Sequence, residues 1–269
     1  AVVDAINHFG MVSAHRCMAL AIEQAATSGI YTVFCRNANT LGAAFRYAKM
    51  ATDQKMIGMC LSNSPSAMPA WGGKKKVLGT NPFAIGIPAD KESPILIDMA
   101  TSIVAKSKIN EARKQGAAIP LGWAVDENGL PTTDPAEAIK GMVLPMAEHK
   151  GYAIAMAIDI LAGVLSGAGY LNHINRFYSE HNECMNVGHC FIAINPSLIF
   201  GEEFCRTIDE YIAEVKASGN DVCYPGENGN RKRALCNNGS VELTDETVNA
   251  LATLFKENDI KGALIEYGR

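Results

Sequence analysis

The stretch "IYTVFCRNANTLGAAFRYAKMATDQKMIGMCLSN", residues 30–63, decides the class of fold. It opens with a run of β-branched and aromatic residues, which is typical of a strand. A helix is predicted over residues 43–52, and "IGMCLSN", residues 57–63, has the composition of a second strand. This alternation of strand and helix predicts an α/β protein.

The flanking segments extend the alternation in both directions. A helix predicted over residues 11–26 and ended by Gly29 precedes the first strand. "FAIGIP", residues 83–88, and "PILIDMATS", residues 94–102, predict further strands, and the exposed helix that follows is closed by Gly116. The central part of the chain therefore continues the sheet.

The second half of the chain contains two strongly apolar segments. Residues 150–168 are apolar on nearly every side, which predicts a helix inside the molecule, and "FIAIN", residues 191–195, predicts another buried strand. A last helix is predicted over residues 245–256, with Thr244 as its N-cap. Between these segments, after "YPGENGNRKR", residues 224–233, the composition becomes typical of a loop.

Two domains are predicted: residues 1–222 form an α/β body that binds cofactor and substrate, and residues 223–269 form a C-terminal helical segment. The chain opens on Ala1 without Met and continues almost at once into a predicted helix. We therefore expect native residues upstream of the first one.

The composition limits the classes of partner. Of the 269 residues 48% are hydrophobic and 19% are charged, so the chain can bury a large core. A net charge of -4 gives no basic face for nucleic acid. Eight cysteines scattered through apolar segments predict reduced thiols and a cytoplasmic protein. The longest apolar stretch, residues 151–169, contains Asp159 and several glycines, which favours a buried helix over a membrane span.

The sequence lacks the best-known nucleotide-binding and hydrolase motifs, and it contains one cluster of residues that could bind a metal. The sequence has no G-x-G-x-x-G after a strand, no Walker A loop and no G-x-S-x-G elbow. "HNECMNVGHC", residues 181–190, offers four soft metal ligands, His181, Cys184, His189 and Cys190. His189 and Cys190 are adjacent in a predicted strand, so their side chains point to opposite faces. We therefore predict no metal, buried cysteines and a His189 that faces a cleft.

Three short motifs indicate where an anionic ligand would bind. In "MAEHKGY", residues 146–152, His149 and Lys150 precede a long helix, and cations with free amides at a helix start favour a phosphate or pyrophosphate; a solvated loop is the alternative. "LIDMATS", residues 96–102, ends a strand on two hydroxyls, Thr101 and Ser102, which could also simply cap a helix.

The third motif is "YPGENG", residues 224–229. Gly226 permits a positive φ or a close backbone approach, and Glu227 is a hydrogen-bond acceptor. A surface turn is the alternative interpretation of this motif.

Taken in order, the longer motifs resemble the malate/L-lactate dehydrogenase family, which includes ureidoglycolate dehydrogenase and diketogulonate reductase. The resemblance covers almost the whole chain. It is carried by "LSNSPSAMPAWGG" (61–73), "GTNPFAIGIP" (79–88), "ILIDMATSIVAKSKI" (95–109), "GAAIPLGWAVDENGLPTTDP" (116–135), "EHKGYAIAMAIDILAGVLSGA" (148–168), "VGHCFIAINP" (187–196) and "YPGE" (224–227).

The resemblance implies an NAD- or NADP-dependent oxidoreductase that interconverts small 2-oxo and 2-hydroxy acids by hydride transfer. It implies a non-Rossmann, two-layer α/β body with a mixed sheet and a small helical domain, usually as a homodimer. The cofactor contacts that it implies are Asn63, Asp98, Met99, Ala100, Thr101, Ser102, His149, Lys150, Gly226 and Glu227, with Gly188 and His189 lining the same cleft.

The catalytic position is unusual. Relatives often have serine or asparagine, then His, Phe and Gly, between the first strand and the second helix; here "NTLG", residues 39–42, occupies that place and Thr40 replaces the histidine. A threonine hydroxyl polarises a carbonyl but does not donate a proton near neutral pH as an imidazolium does, so its expected role is orientation.

"NHFG", residues 7–10, precedes the first helix, where the family has a variable turn, and we interpret His8 as a lookalike. The family's other acid, a His-Gly pair near the native N-terminus, has no counterpart in these residues. Two hypotheses remain: an oxidoreductase whose proton donor comes from an upstream segment, and a dinucleotide-binding relative or truncated product without turnover.

Overall fold

The computed structural model describes residues 1–177, 183–236 and 243–259. These residues fall into two compact units, Ala1–Glu227 and a second unit that starts at Asn228. The strands are β1 (Val2–Asp4), β2 (Ile30–Ala38), β3 (Ile57–Ser62), β4 (Met68–Pro69), β5 (Lys76–Leu78), β6 (Phe83–Ile87), β7 (Ile95–Met99), β8 (Ala124–Val125), β9 (Pro131–Thr132), β10 (Met142–Val143) and β11 (Val187–Ile194). The α-helices are α1 (Gly10–Ser28), α2 (Phe45–Thr52), α3 (Lys106–Gln115), α4 (Pro135–Lys140), α5 (His149–Ile158), α6 (Phe204–Ala217), α7 (Glu227–Leu235) and α8 (Asp245–Glu257).

The first unit is built on a six-stranded sheet with the order β1-β2-β11-β3-β6-β7. β1 and β2 run parallel, whereas every other neighbouring pair is antiparallel. The predicted α/β class and the predicted mixed sheet are therefore confirmed.

Helices cover both faces of this sheet. Alternate residues of β11 separate the two cores: Phe191 packs with α1 and α2, whereas Cys190 packs with Ile158 and Ala162 on the opposite face. The approach of α2 is close, because a Cβ on Gly58 would lie 2.7 Å from the carbonyl oxygen of Ala48. The α5 side thus adds a helical layer to the two layers expected from the sequence.

A smaller part of the first unit packs beside the main sheet. It contains a three-stranded sheet, β10-β8-β9, the β4–β5 ribbon, and helices α3 and α4. Met68, Leu78, Ile109 and Val143 form its buried core. The predicted closure of α3 at Gly116 is confirmed, and Gly116 adopts a left-handed conformation with φ 64°.

The apolar helix of residues 150–168 differs from its prediction. α5 starts at His149 and continues as a π-helix over Asp159–Val164. It is not enclosed by the chain: Ile154, Ile160 and Leu165 are 38%, 49% and 56% exposed. The prediction that this helix lies wholly inside the molecule is wrong. An apolar sequence does not by itself bury a helix face, because another part of the protein has to cover that face. Within the described residues these three side chains remain exposed.

Several elements were not predicted from the sequence. β1 has only three residues, and no helix was expected where α7 lies. The short elements β4, β5, β8, β9, β10 and α4 were also missed. In the second unit, α8 begins where predicted, and the Thr244 hydroxyl accepts a hydrogen bond from the amide of Thr247 at 3.3 Å. Among the described residues no helix combines the length and the apolar character that crossing a membrane would need.

Candidate active site

The two tetrapeptides "NHFG" and "NTLG" lie side by side. β1 and β2 are parallel, and their register pairs Val2 with Phe34 and Asp4 with Arg36. The same spacing relates Asn7 to Asn39, so both tetrapeptides follow the carboxyl ends of adjacent strands. Such strand ends are the usual place for ligands in α/β sheets.

Asn39 joins the two loops. Its side-chain amide donates to the carbonyl oxygen of Asn7 at 3.1 Å, to Asn7 Oδ1 at 3.0 Å and to the carbonyl oxygen of His8 at 3.1 Å. Gly10 completes the contact, because a Cβ there would lie 2.2 Å from the carbonyl oxygen of Thr40. Only glycine permits so close an approach of the two backbones.

A cleft of about 340 Å³ opens between these loops. Residues 7 and 9–11 line one side, Asn39 and Thr40 line the other, and Phe177 and residues 183–185 complete the wall. A smaller cavity of about 90 Å³ adjoins Thr40, Ser62 to Pro65 and Pro82. Thr40 is exposed and lines both spaces, whereas the His8 side chain lines neither. The larger cleft has a volume that suits a small metabolite.

His189 lies beneath this loop instead of facing a cleft, which corrects the expectation from the sequence. It is fully buried, with Nδ1 2.9 Å from Ser62 Oγ and Nε2 3.1 Å from the carbonyl oxygen of Asn39. Burial lowers the pKa of the imidazole to about 4. Cys190 packs on the opposite face of the sheet, as expected for neighbours in a strand. His181, the remaining histidine of that segment, lies outside the described residues.

Asn63 and Gly188, two of the expected cofactor contacts, are committed to internal contacts. The Asn63 amide donates to Asp159 Oδ1 at 3.2 Å and to the carbonyl oxygen of Gly169 at 2.8 Å, and Oδ1 accepts from the amide of Gly188 at 2.8 Å. A Cβ on Gly188 would lie 1.9 Å from the carbonyl oxygen of Ala162. Asn63 therefore binds the π-helix to the sheet through hydrogen bonds, and Gly188 allows the π-helix to pack closely against the sheet.

The strand-end hydroxyls and the helix-start cations, which the sequence treats as separate motifs, come together. The amide of Met146 donates to the carbonyl oxygen of Thr101 at 2.9 Å, and Ser102 pairs with Pro145. Gly151 permits this contact, since a Cβ there would lie 2.8 Å from the same carbonyl oxygen. Thr101 and Ser102 are thus held directly beside the start of α5.

The start of α5 differs in part from the expected cradle of free amides. The amide of Lys150 donates to Ala147 and that of Gly151 to Met146, so two of the first-turn donors are already used. The side chains of His149 and Lys150 remain exposed, and the His149 ring lies 6.0 Å from the ring of Trp71. The side-chain charge remains for an anion. The Thr101 and Ser102 hydroxyls do not, because both residues are buried and donate to the carbonyl oxygens of Thr80 at 2.9 Å and Val104 at 2.8 Å.

Asp98, Met99 and Ala100 lie where β7 ends. The Asp98 carboxylate accepts a hydrogen bond from the amide of Phe45 at 3.2 Å and so caps α2. Met99 points to the other face and is 43% exposed, while Ala100 is half-buried. Asp98 and Met99 are thus both exposed at this strand end, whereas Ala100 offers less surface to a ligand.

Gly226 and Glu227 lie at the start of β7, away from Thr101. Gly226 has φ 92°, and a Cβ there would lie 2.8 Å from the Cβ of Leu96. Glu227 Oε1 accepts from Lys216 Nζ at 2.7 Å, an ion pair at the surface. The expected contacts are therefore spread along the whole length of the edge strand.

The available groups fit a dinucleotide. Exposed Lys150 and His149 supply positive charge and N–H donors, and the aromatic ring of Trp71 lies next to His149. In the described part of the chain, the buried Ser64 Oγ has no hydrogen-bond partner, and Ser64 lines the smaller cavity beside Thr40. An unpaired hydroxyl at a cavity wall suits a polar ligand group.

Fold and site together define an α/β enzyme that collects its candidate ligand groups at the ends of strands. Comparison with known proteins makes the assignment narrower: the family model described as malate/L-lactate dehydrogenase matches residues 1–252. The chain belongs to the malate/L-lactate dehydrogenase family, which confirms the resemblance.

The relatives are dehydrogenases. L-sulfolactate dehydrogenase of Methanothermobacter thermautotrophicus is 41% identical over 260 residues, which cover 94% of this chain and 74% of that protein. The solved sulfolactate dehydrogenase of Methanocaldococcus jannaschii matches with a TM-score of 0.85 and 38% identity, over 94% of this chain and 74% of that one.

The named relatives use both coenzymes. Ureidoglycolate dehydrogenase (NAD(+)) of Escherichia coli is 33% identical, over 91% of this chain and 72% of that protein. (2R)-3-sulfolactate dehydrogenase (NADP(+)) of Chromohalobacter salexigens is 32% identical, over 93% and 74% respectively. The family thus includes NAD- and NADP-dependent enzymes, as the sequence resemblance implies.

Proposed function

We propose that this chain is an NAD(P)-dependent oxidoreductase that interconverts a small 2-oxo acid and the corresponding 2-hydroxy acid. The observation that carries the proposal is the position of Thr40, which lines both a metabolite-sized cleft and a smaller cavity at the ends of two parallel strands. Membership of a dehydrogenase family supports the same reaction class.

The chain's own residues would bind and orient the reactants. A bound nicotinamide would supply the hydride. Lys150 and His149 would hold the phosphates, and the Thr101–Ser102 segment would lie beside them. The Thr40 hydroxyl would donate a hydrogen bond to the substrate carbonyl oxygen and polarise it. The hydroxyl is a poor acid near neutral pH, so the proton that reaches this oxygen would come from another group.

The cofactor part of the proposal is tested at Lys150. Lys150→Ala should weaken binding of NAD(P)H by about 1 to 3 kcal/mol, because a charge-assisted hydrogen bond to a phosphate is lost. Titration of nicotinamide fluorescence measures this affinity. Lys108→Ala, which removes an exposed lysine in the first turn of α3, is the matched control. Equal affinities for Lys150→Ala and the native chain would remove Lys150 from the site.

The reaction itself is tested by following NAD(P)H absorbance with pyruvate, oxaloacetate, 3-sulfopyruvate and cyclic imino acids. Turnover with one of the 2-oxo acids is the expected result. Thr40→His should raise that turnover by about 10- to 100-fold, since it places a general acid at the cleft. If Thr40→Val behaves like the native chain and Thr40→His gains nothing, Thr40 is remote from the reacting centre.

The second candidate function is a dinucleotide-binding protein without turnover. The observation that favours it is Thr40, which occupies the position where the resemblance places a histidine. Saturable binding of NAD(P)H together with no oxidation in the same assay would support this function over the first.

We also propose a homodimer in the cytoplasm. The apolar side chains exposed along α5 and the π-helix, among them Ile160 and Leu161, support an interface there. Ile160→Glu should convert a dimer into a monomer, as measured by sedimentation equilibrium, and a native chain that sediments as a monomer would contradict the proposal.

The buried free thiols of Cys17, Cys35 and Cys60 support a reducing compartment.

A further inference from the structure

His189 lies on β11, an internal strand of the main sheet, in contact with Asn39, which lines the cleft. On β11 it pairs with Cys35 of β2 on one side and with Ser62 of β3 on the other. Its ring lies 6.0 Å from that of Phe191, and no part of the residue is exposed. A polar ring in this position has to satisfy both nitrogens within the protein.

The hydrogen-bond partners determine which nitrogen carries the proton. The carbonyl oxygen of Asn39 can only accept, so Nε2 is the donor in the 3.1 Å contact. Burial lowers the pKa of the ring to about 4, so near neutral pH Nδ1 is an acceptor. The Ser62 hydroxyl lies 2.9 Å from both Nδ1 and the carbonyl oxygen of Asn63, and with a neutral ring its one hydrogen is donated to Nδ1. A neutral imidazole with its hydrogen on Nε2 therefore satisfies both sides.

The contact with Asn39 continues upward into the cleft. Asn39 is held from below at its carbonyl oxygen by His189, and its side-chain amide binds the Asn7–His8 loop above. The next residue is Thr40, whose carbonyl oxygen packs against Gly10. The peptide between Asn39 and Thr40 is therefore the connection between the buried histidine and the exposed hydroxyl.

We propose that His189 is a positioning residue, which donates from Nε2 to Asn39 and thereby fixes Thr40 and the Asn7–His8 loop around the cleft. It touches neither substrate nor cofactor. The proposal rests on the proposed function only for the part in which Thr40 orients a substrate carbonyl. The assignment of the donor and of the loop that it fixes is independent of any reaction.

Two substitutions test the roles of the two ring nitrogens of His189 separately. His189→Gln places an amide N–H near the position of Nε2 and keeps the donor to Asn39. His189→Asn places its amide near Nδ1, keeps a partner for Ser62 and leaves the carbonyl oxygen of Asn39 without a donor. His15→Asn, at an exposed residue of α1, is the control.

His189→Asn should lower kcat by about 100-fold, the effect of a displacement of roughly 1 Å, while the Kd for NAD(P)H changes less than about threefold. His189→Gln should recover most of the lost kcat. A residue with only a structural role would instead lower kcat, cofactor affinity and melting temperature together in both variants. That parallel loss would overturn the proposal.

Measurements that do not depend on enzymatic activity keep this test separate from the proposed function. In the native chain, 15N NMR should show a neutral His189 with its hydrogen on Nε2. Hydrogen exchange at the amides of Asn7 and His8, which donate to the carbonyl oxygens of Asn37 and Ala5, should accelerate at least tenfold in His189→Asn but not in His189→Gln. A hydrogen on Nδ1, or equal exchange in both variants, would overturn the proposal. A chain that passes this test without turning over any substrate would contradict the proposed function alone.

Discussion

Replacement of Asn63 by leucine should lower the free energy of unfolding by about 3 to 5 kcal/mol. Leucine has the same branched arrangement of heavy atoms but cannot form hydrogen bonds, so the loss comes mainly from the three hydrogen bonds that Asn63 makes with Asp159, Gly169 and Gly188. Each of these groups is inside the protein, and an unsatisfied buried polar group costs about 1 to 3 kcal/mol. We expect the surrounding structure to relax partly, so the total loss of stability should be smaller than the sum of the three largest individual costs.

The alternative role expected from the sequence, a cofactor contact, gives a different result. If Asn63 binds the dinucleotide instead of holding the fold, Asn63→Leu leaves the stability within about 0.5 kcal/mol of the native value and weakens NAD(P)H binding. Urea unfolding followed by circular dichroism measures the first quantity, and fluorescence titration measures the second. Asn128→Ala, at an exposed turn, is the control. An unchanged urea midpoint for Asn63→Leu would contradict the structural role.

The sequence predicted most of the sheet and its helices because those elements are long and periodic. α1, β2, α2 and β3 lie close to their predicted ranges. β1 was missed, since three residues contain too little pattern for any periodicity. The omission matters for the site: without β1 as a parallel neighbour of β2, nothing in the sequence indicates that "NHFG" and "NTLG" share one sheet edge.

The site residues show a similar limit. Asn63 and Gly188 are polar or small residues at strand ends, and such residues suit both a ligand and a close contact between backbones. Which of the two applies depends on what lies opposite. Here it is the π-helix, whose residue Ala162 approaches Gly188 across more than twenty positions of the chain. Such a contact has no local signature in either segment.

His189 should make the protein less stable as the pH falls from about 6.5 to about 4. In the unfolded chain a histidine has a pKa near 6.5, whereas burial lowers that of His189 to about 4. Within this interval the unfolded state binds the proton and the folded state does not, so the free energy of unfolding falls with pH. The full loss is about 3 kcal/mol, and it ends below the folded pKa.

Comparison with His189→Gln isolates this contribution. Other groups titrate in the same range; burial raises the pKa of Asp159, which acts in the opposite sense and is common to both proteins. Urea unfolding at pH 7, 6, 5 and 4.5 should show the native chain losing about 2 kcal/mol or more relative to the variant. Parallel stability curves would mean that the imidazole is protonated in the folded state or reaches water.

The hydrogen bonds of His189 indicate how that loss should appear. A protonated ring would still donate to Asn39 from Nε2, and the Ser62 hydroxyl, which lies 2.9 Å from the carbonyl oxygen of Asn63, could turn toward that acceptor and receive the second N–H. Both of these partners are neutral, so removal of the ring's charge from water remains uncompensated. Acid should therefore lower global stability while the Asn39–Thr40 peptide stays fixed until unfolding. Hydrogen exchange at the amide of His8, which donates to the carbonyl oxygen of Ala5, should follow global unfolding instead of a separate local opening.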